Sequence, residues 1–92
     1  FVDGQPVDGP LKISGMAFQA LAWALMEEAR AERLLSLTGL TPEGLRSSIT
    51  ERGTQAAILS FLEAYEPDLI ACAAVIGVSP ALLVQARQEL EA

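Results

Sequence analysis

The side chains that could perform acid–base chemistry or bind a metal ion are carboxylates, and they gather in two short stretches. These carboxylates are Glu27, Glu28 and Glu32, then Glu63, Glu66 and Asp68. Paired carboxylates can transfer protons or bind a hard cation. A di-iron helical bundle also needs histidine ligands, which the chain lacks, and no spacing matches a calcium-binding loop. We therefore expect solvated carboxylates near helix ends and no metal site.

The candidate nucleophiles give no catalytic arrangement. Cys72, the single cysteine, lies between Ala71 and Ala73 in an apolar run, which predicts a buried and unreactive thiol. Most serines and threonines stand where a helix needs an N-cap, and no histidine can serve as their base. The glycines stand singly, so no glycine-rich phosphate loop is present. The sequence thus predicts no catalytic residue, no cofactor, no small-molecule ligand and no enzymatic activity.

Composition narrows the possible partners. The 92 residues carry a net charge of −6, and phosphate contacts supply much of the affinity for nucleic acid, so a nucleic-acid partner is disfavoured. The longest apolar runs, residues 16–26 and 69–78, are too short to cross a bilayer, and neither resembles a signal peptide. With one cysteine there is no internal disulfide. We expect a cytoplasmic protein without a membrane partner.

The apolar periodicity predicts an all-α fold, a compact orthogonal bundle of about six short helices. Residues 1–13 contain two glycines and two prolines, which predicts a flexible N-terminal tail or an expression remnant. Residues 14–92 should form a single helical domain. Ser14 and Thr54 are the predicted N-caps of the first and fourth helices. Phe18, Leu21, Ala22, Leu25 and Ala29 form the predicted buried stripe of the first helix.

An internal similarity links the two halves of the domain. Residues 38–42 (Thr-Gly-Leu-Thr-Pro) resemble residues 76–80 (Ile-Gly-Val-Ser-Pro) at an offset of 38 positions. The same offset aligns Leu21 with Leu59 and Trp23 with Phe61 without a gap. The pattern predicts two copies of a three-helix unit in a pseudo-two-fold bundle, although shared cap chemistry alone could produce part of it.

Two segments also resemble a known family. Residues 37–46 (LTGLTPEGLR) and the aromatic-Leu-Glu pattern at residues 61–63 are similar to short bacterial proteins, mainly alphaproteobacterial, that are known only as a domain of unknown function. The resemblance covers about residues 16–90. It implies an all-helical fold and no established activity, and it supplies no functional residue.

The apolar surplus indicates a protein–protein contact. Hydrophobic residues make up 51% of the chain and its mean hydropathy is +0.35, which is high for a domain with so small an interior. The first and fifth helices are apolar on nearly every face. Part of the first, around Met16, Ala20 and Trp23, or part of the fifth, is therefore a candidate interface with a second copy or another protein. The alternative is that the bundle buries both helices fully.

A helix-turn-helix regulator that binds nucleic acid is the alternative function. The Gly77-Val78-Ser79 step joins two predicted short helices, as in many DNA-binding domains. The second of these helices offers Gln85, Arg87 and Gln88, too little positive charge to neutralise several phosphates. A helical interaction domain that self-associates therefore remains the preferred prediction.

Overall fold

The computed structural model describes residues 10–92, with side chains from residue 13 onward, and it is all-α over this range. Its six helices are α1 (Pro10–Leu25), α2 (Glu28–Thr38), α3 (Pro42–Ser47), α4 (Arg52–Glu63), α5 (Glu66–Ile76) and α6 (Pro80–Glu91). The predicted all-α fold is confirmed. Residues 1–9 of the predicted tail lie outside the described residues, and residues 10–13 belong to α1, so the helix begins four residues before the predicted cap at Ser14.

Local cap chemistry explains four of the helix ends. Gly39 and Gly77 end α2 and α5 in the left-handed conformation, with φ of 74° and 81°. The Thr41 hydroxyl accepts a hydrogen bond from the Gly44 amide (3.0 Å), and the Ser79 hydroxyl accepts one from the Leu82 amide (3.2 Å). A proline follows each of these caps at the first helical position.

Two predicted N-caps are wrong, because their helices begin earlier. Ser14 lies inside α1, where its hydroxyl accepts a hydrogen bond from Gln55 Nε2 at 3.1 Å. Thr54 lies inside α4, and its hydroxyl donates to Ser48 Oγ at 3.1 Å. Both side chains therefore tie separate elements together instead of starting a helix.

The offset of 38 residues relates the helices as well as the sequence. We call α1–α3 unit 1 and α4–α6 unit 2. The bounds of α2 shifted by 38 are those of α5, the last residues of α1 and α4 are equivalent, and α3 and α6 begin at equivalent prolines. Between the units, α1 contacts α4 and α5, and α4 also contacts α2. This contact pattern is unchanged when the units are exchanged, as a pseudo-two-fold arrangement requires.

The core lies between the two units, and every helix contributes to it. The equivalent residues Leu21 and Leu59 are both buried, as are Leu45 and Leu83. Gln55 is a buried polar residue, and its Nε2 donates to the carbonyl of Ile49 (2.8 Å) as well as to Ser14. The buried amide of α4 is therefore held by partners from α1 and from the turn that follows α3.

The helices are short relative to a bilayer. The longest, α1, has 16 residues. Within residues 10–92, no single helix is long and apolar enough to cross a membrane. Helices α5 and α6 reach that length and hydropathy only as a pair, which is bent by 101° at the break between them.

Candidate interaction surfaces

The three predicted interface residues of α1 are buried within the chain. The exposed fraction is 4% for Met16, 0% for Ala20 and 7% for Trp23. The Arg30 guanidinium stacks over the indole, 3.8 Å from the ring centroid, and its Nη2 donates to the Trp23 carbonyl at 2.8 Å. These three side chains therefore pack in the core. This agrees, at these positions, with the alternative in which the bundle buries the helix.

The exposed surface of α1 is the opposite side of the same helix. Phe18 is 60% exposed and Met26 is 80% exposed, and Ala22 between them is also exposed. Because these residues are spaced by four, they form one stripe, which we call the α1 stripe. The predicted buried stripe was thus wrong for Phe18, Ala22 and Ala29, while Leu21 is buried as predicted.

Two open grooves border the α1 stripe and meet at Phe18. One has a volume of about 420 Å³ and is lined by four α1 residues, by Met26 just after α1 and by Arg46 of α3; the four are Phe18, Leu21, Ala22 and Leu25. The other has a volume of about 250 Å³ and lies between Phe18 and the turn at Ile49 and Thr50. The grooves together form a trough along α1.

Helix α5 carries the second exposed apolar surface. Ile70 is 52% exposed and Val75 is 66% exposed, and Ala71 and Ala74 between them are also exposed. We call these four residues the α5 face. The prediction that part of the fifth helix could serve as an interface therefore falls on side chains that the fold leaves accessible.

Three of the six candidate carboxylates, Glu27, Glu63 and Asp68, are engaged in ion pairs with arginines. Arg87 pairs with Glu63 and, at 2.6 Å, with Glu91. Asp68 is buried and accepts a hydrogen bond from Arg33 Nη2 at 2.7 Å, so the prediction of a solvated side chain was wrong for this residue. No cluster of potential metal ligands occurs among the residues that the structure describes.

Arg33 connects α2 to unit 2. Its guanidinium pairs with Asp68 and lies 5.3 Å from the ring centroids of both Phe61 and Tyr65. The 35 residues that separate Arg33 from Asp68 leave no local pattern from which the sequence could predict this contact.

Cys72 is fully buried in α5. Burial raises the pKa of its thiol to about 11, an effect that Arg30 opposes and Asp68 reinforces. At neutral pH the sulfur is therefore a protonated thiol inside the core, a state that is poor in nucleophilicity.

The region of the predicted helix-turn-helix has the expected angle but little available positive charge. Helices α5 and α6 meet at 101°, within the range of such motifs. Arg87, the arginine of α6, is held by Glu63 and Glu91. Gln85 and Gln88 are exposed on α6, so its outer surface offers amides instead of cations.

Comparison with known proteins identifies the family. Residues 13–92 match the family described as "Protein of unknown function (DUF3572)", and no curated protein or solved structure matches the chain. The matched range covers most of the chain, so the chain belongs to this family. The predicted resemblance to a domain of unknown function is confirmed.

Proposed function

We propose that this domain is a non-enzymatic helical interaction module that self-associates through the α5 face. The observation that carries the proposal is the contrast between α5 and its equivalent, α2. The α5 face consists of Ile, Ala, Ala and Val, whereas the equivalent residues of α2 are Glu32, Arg33, Ser36 and Leu37. Because α2 folds with a mostly polar outer surface, the pseudo-symmetric framework does not by itself require an apolar one on α5.

The order of side chains on the α5 face suits pairing with itself. Two copies of α5 in antiparallel orientation, related by a two-fold axis between Ala71 and Ala74, would place Ile70 opposite Val75 of the second copy. Ala71 would then lie opposite Ala74 of the second copy. Small residues at the centre permit close approach of the two helices, and large ones at the ends fill the space on either side.

Charge supports a weak dimer whose affinity increases with salt. The α5 face contains no charged residue, so pairing it with itself buries no unpaired charge. The two copies nevertheless repel each other, because each carries a net charge of −6. Salt screens this repulsion without weakening the apolar contact. Four side chains cover much less than the roughly 800 Å² per partner of a standard interface, so the affinity should be modest.

Three further features explain why the proposal includes neither catalysis nor nucleic-acid binding. The chain has no histidine, and Cys72 is a buried thiol with a raised pKa. Arg87 is paired with two carboxylates, which leaves the outer surface of α6 without a cation for phosphate. A gel-shift assay at low salt should therefore show no complex.

The absolute mass in solution, measured by sedimentation equilibrium across a wide concentration range at low and high salt, tests the proposal. We expect a monomer–dimer equilibrium that moves toward dimer as salt increases. Val75→Glu should give a monomer at every concentration, because the two-fold axis places the new carboxylate in an apolar contact. The matched control is Leu37→Glu, since Leu37 is the α2 equivalent of Val75 and is also exposed.

The two variants also define failure. If the wild type is a monomer throughout, or if Leu37→Glu and Val75→Glu alter the mass equally, the α5 face is not a self-interface. Circular dichroism should show that both variants keep the helical fold, because both positions are exposed.

A further inference from the structure

The trough on α1 exists because the two units differ in the length of their third helix. In unit 2, α6 runs for 12 residues. Its contact with α4 is the most extensive contact between any two of the described helices. Its second half buries Ala86 and Leu90. Arg52 at the start of α4 donates to the carbonyls of Glu89 (2.9 Å) and Leu90 (3.1 Å), which holds the end of α6 in place.

In unit 1 the third helix stops after six residues. The hydroxyls of Ser47 and Ser48 both donate to the Gly44 carbonyl, at 3.2 and 2.7 Å, and so compete with continuation of the helix. Ser48 is the equivalent of Ala86, so α3 ends where α6 begins to cover its neighbour. The position that the second half of α6 fills beside α4 is therefore empty beside α1.

The side chains at this position differ in the same direction. Ala56 of α4 is buried, whereas its equivalent in α1 is Phe18, which is 60% exposed. Met26 replaces Ala64 at the other end of the stripe. Unit 1 thus carries larger apolar side chains at the place where its own chain covers them less.

Arg46 supplies a charge at the border of the trough. It lines the larger groove beside Leu21 and Leu25. Of the arginines within the described residues, Arg46 is the one whose side chain makes neither an ion pair nor a hydrogen bond. No carboxylate lines this groove, so a carboxylate from a bound molecule would find an unshared cation next to an apolar surface.

We propose that the trough binds an amphipathic helix of a partner protein, which takes the place that the second half of α6 occupies in unit 2. Two apolar residues of that helix, four positions apart like Ala86 and Leu90, pack on either side of Phe18. A carboxylate of the same helix pairs with Arg46. This is the helix-in-groove type of recognition, and it uses a surface separate from the α5 face, so it does not depend on self-association.

A display library of helical peptides of about 16 residues, selected on the full chain, tests this proposal. We expect the enriched peptides to carry two large apolar residues at positions i and i+4 and an aspartate or glutamate on the same side. Their affinity should fall about tenfold or more for Phe18→Ala, because the central anchor of the trough is removed. Val75→Glu on the α5 face is the matched control and should bind with unchanged affinity.

A charge exchange tests the role of Arg46. Arg46→Glu should weaken the selected peptides, and replacement of their carboxylate by lysine should restore binding to Arg46→Glu but not to the wild type. Phe18 and Arg46 are both exposed, so circular dichroism should show that Phe18→Ala and Arg46→Glu retain the fold.

Three outcomes would overturn the proposal. The first is a selection that enriches no peptide able to distinguish the wild type from Phe18→Ala, and the second is binding without a preference for a carboxylate. The third is loss of the dimer in Phe18→Ala, measured by sedimentation, which would place a second copy in the trough and would also contradict self-association through the α5 face alone. The first two results would leave self-association through the α5 face untouched, so the two proposals fail separately.

Discussion

Units 1 and 2 share a framework but differ on their outer surfaces. Equivalent residues cap the helices, and equivalent leucines fill the core. The third helix, by contrast, has six residues in unit 1 and twelve in unit 2, and the second helix is mostly polar outside in unit 1 and apolar in unit 2. Since the framework tolerates both alternatives at each place, the uncovered α1 stripe and the apolar α5 face are not explained by folding of the framework alone.

The largest expected effect tests the two sides of α1. Trp23→Ala should lower the free energy of unfolding by about 3–5 kcal/mol, since it removes a buried indole and the surface on which Arg30 stacks. Phe61→Ala, at the equivalent position of α4, should cost a similar amount. Phe18→Ala should cost less than about 1 kcal/mol, because the ring is mostly exposed.

Urea denaturation followed by far-UV circular dichroism measures all three variants without relying on the tryptophan. If Phe18→Ala destabilised the chain as much as Trp23→Ala, the assignment of Phe18 to the outer side of α1 would be wrong. In that case the trough would not be a binding surface.

The same helix shows what the sequence could not predict. The pattern of α1 is apolar on nearly every side, so its periodicity gives no basis for choosing which side faces the core. That choice depends on which helices pack around α1, and in particular on the early end of α3. The prediction was consequently wrong for Phe18, and for Trp23 the sequence left core and interface open, while the existence and approximate position of the helix were predicted correctly.

Features set by local chemistry were predicted better. Gly39 and Gly77 end helices, and Thr41 and Ser79 start them, because glycine adopts positive φ readily and a hydroxyl can accept from a free amide. The ion pair of Arg33 with Asp68 could not be foreseen, because it depends on the approach of two helices from different units. The candidate surfaces belong to this second class, since exposure is a property of the assembled fold.

An intermediate effect concerns the buried position that Leu34 fills in unit 1 and Cys72 fills in unit 2. Burial raises the pKa of the Cys72 thiol to about 11 from the ordinary value of 9.0. The folded state therefore binds the thiol proton more tightly than the unfolded state. This contribution to stability is complete below about pH 9 and is lost as the pH rises toward 11.

The stability difference between the wild type and Cys72→Ala, measured by urea denaturation at several pH values, isolates this effect. It should shrink by about 2 kcal/mol between pH 8 and pH 11, because the alanine variant lacks the titrating group. Stability curves that stay parallel up to pH 11 would contradict the prediction. They would mean that the thiol is less shielded than its equivalent, Leu34.

The smallest expected effect tests the equivalence of the units directly. Gly39→Ala and Gly77→Ala should each lower the free energy of unfolding by about 1–2 kcal/mol, since a Cβ is disfavoured at positive φ. No atom lies within 4 Å of the position that either Cβ would take, so the cost is confined to the backbone and should be nearly equal at both sites. Gly15→Ala is the control: it lies within α1, also has space for a Cβ, and should stabilise the chain by about 0.5–1 kcal/mol. Urea denaturation of the three variants measures these free energies of unfolding. Unequal losses of stability for Gly39→Ala and Gly77→Ala would show that the two helix ends are alike in conformation but not in energy. One unit could then no longer serve as the reference for the other.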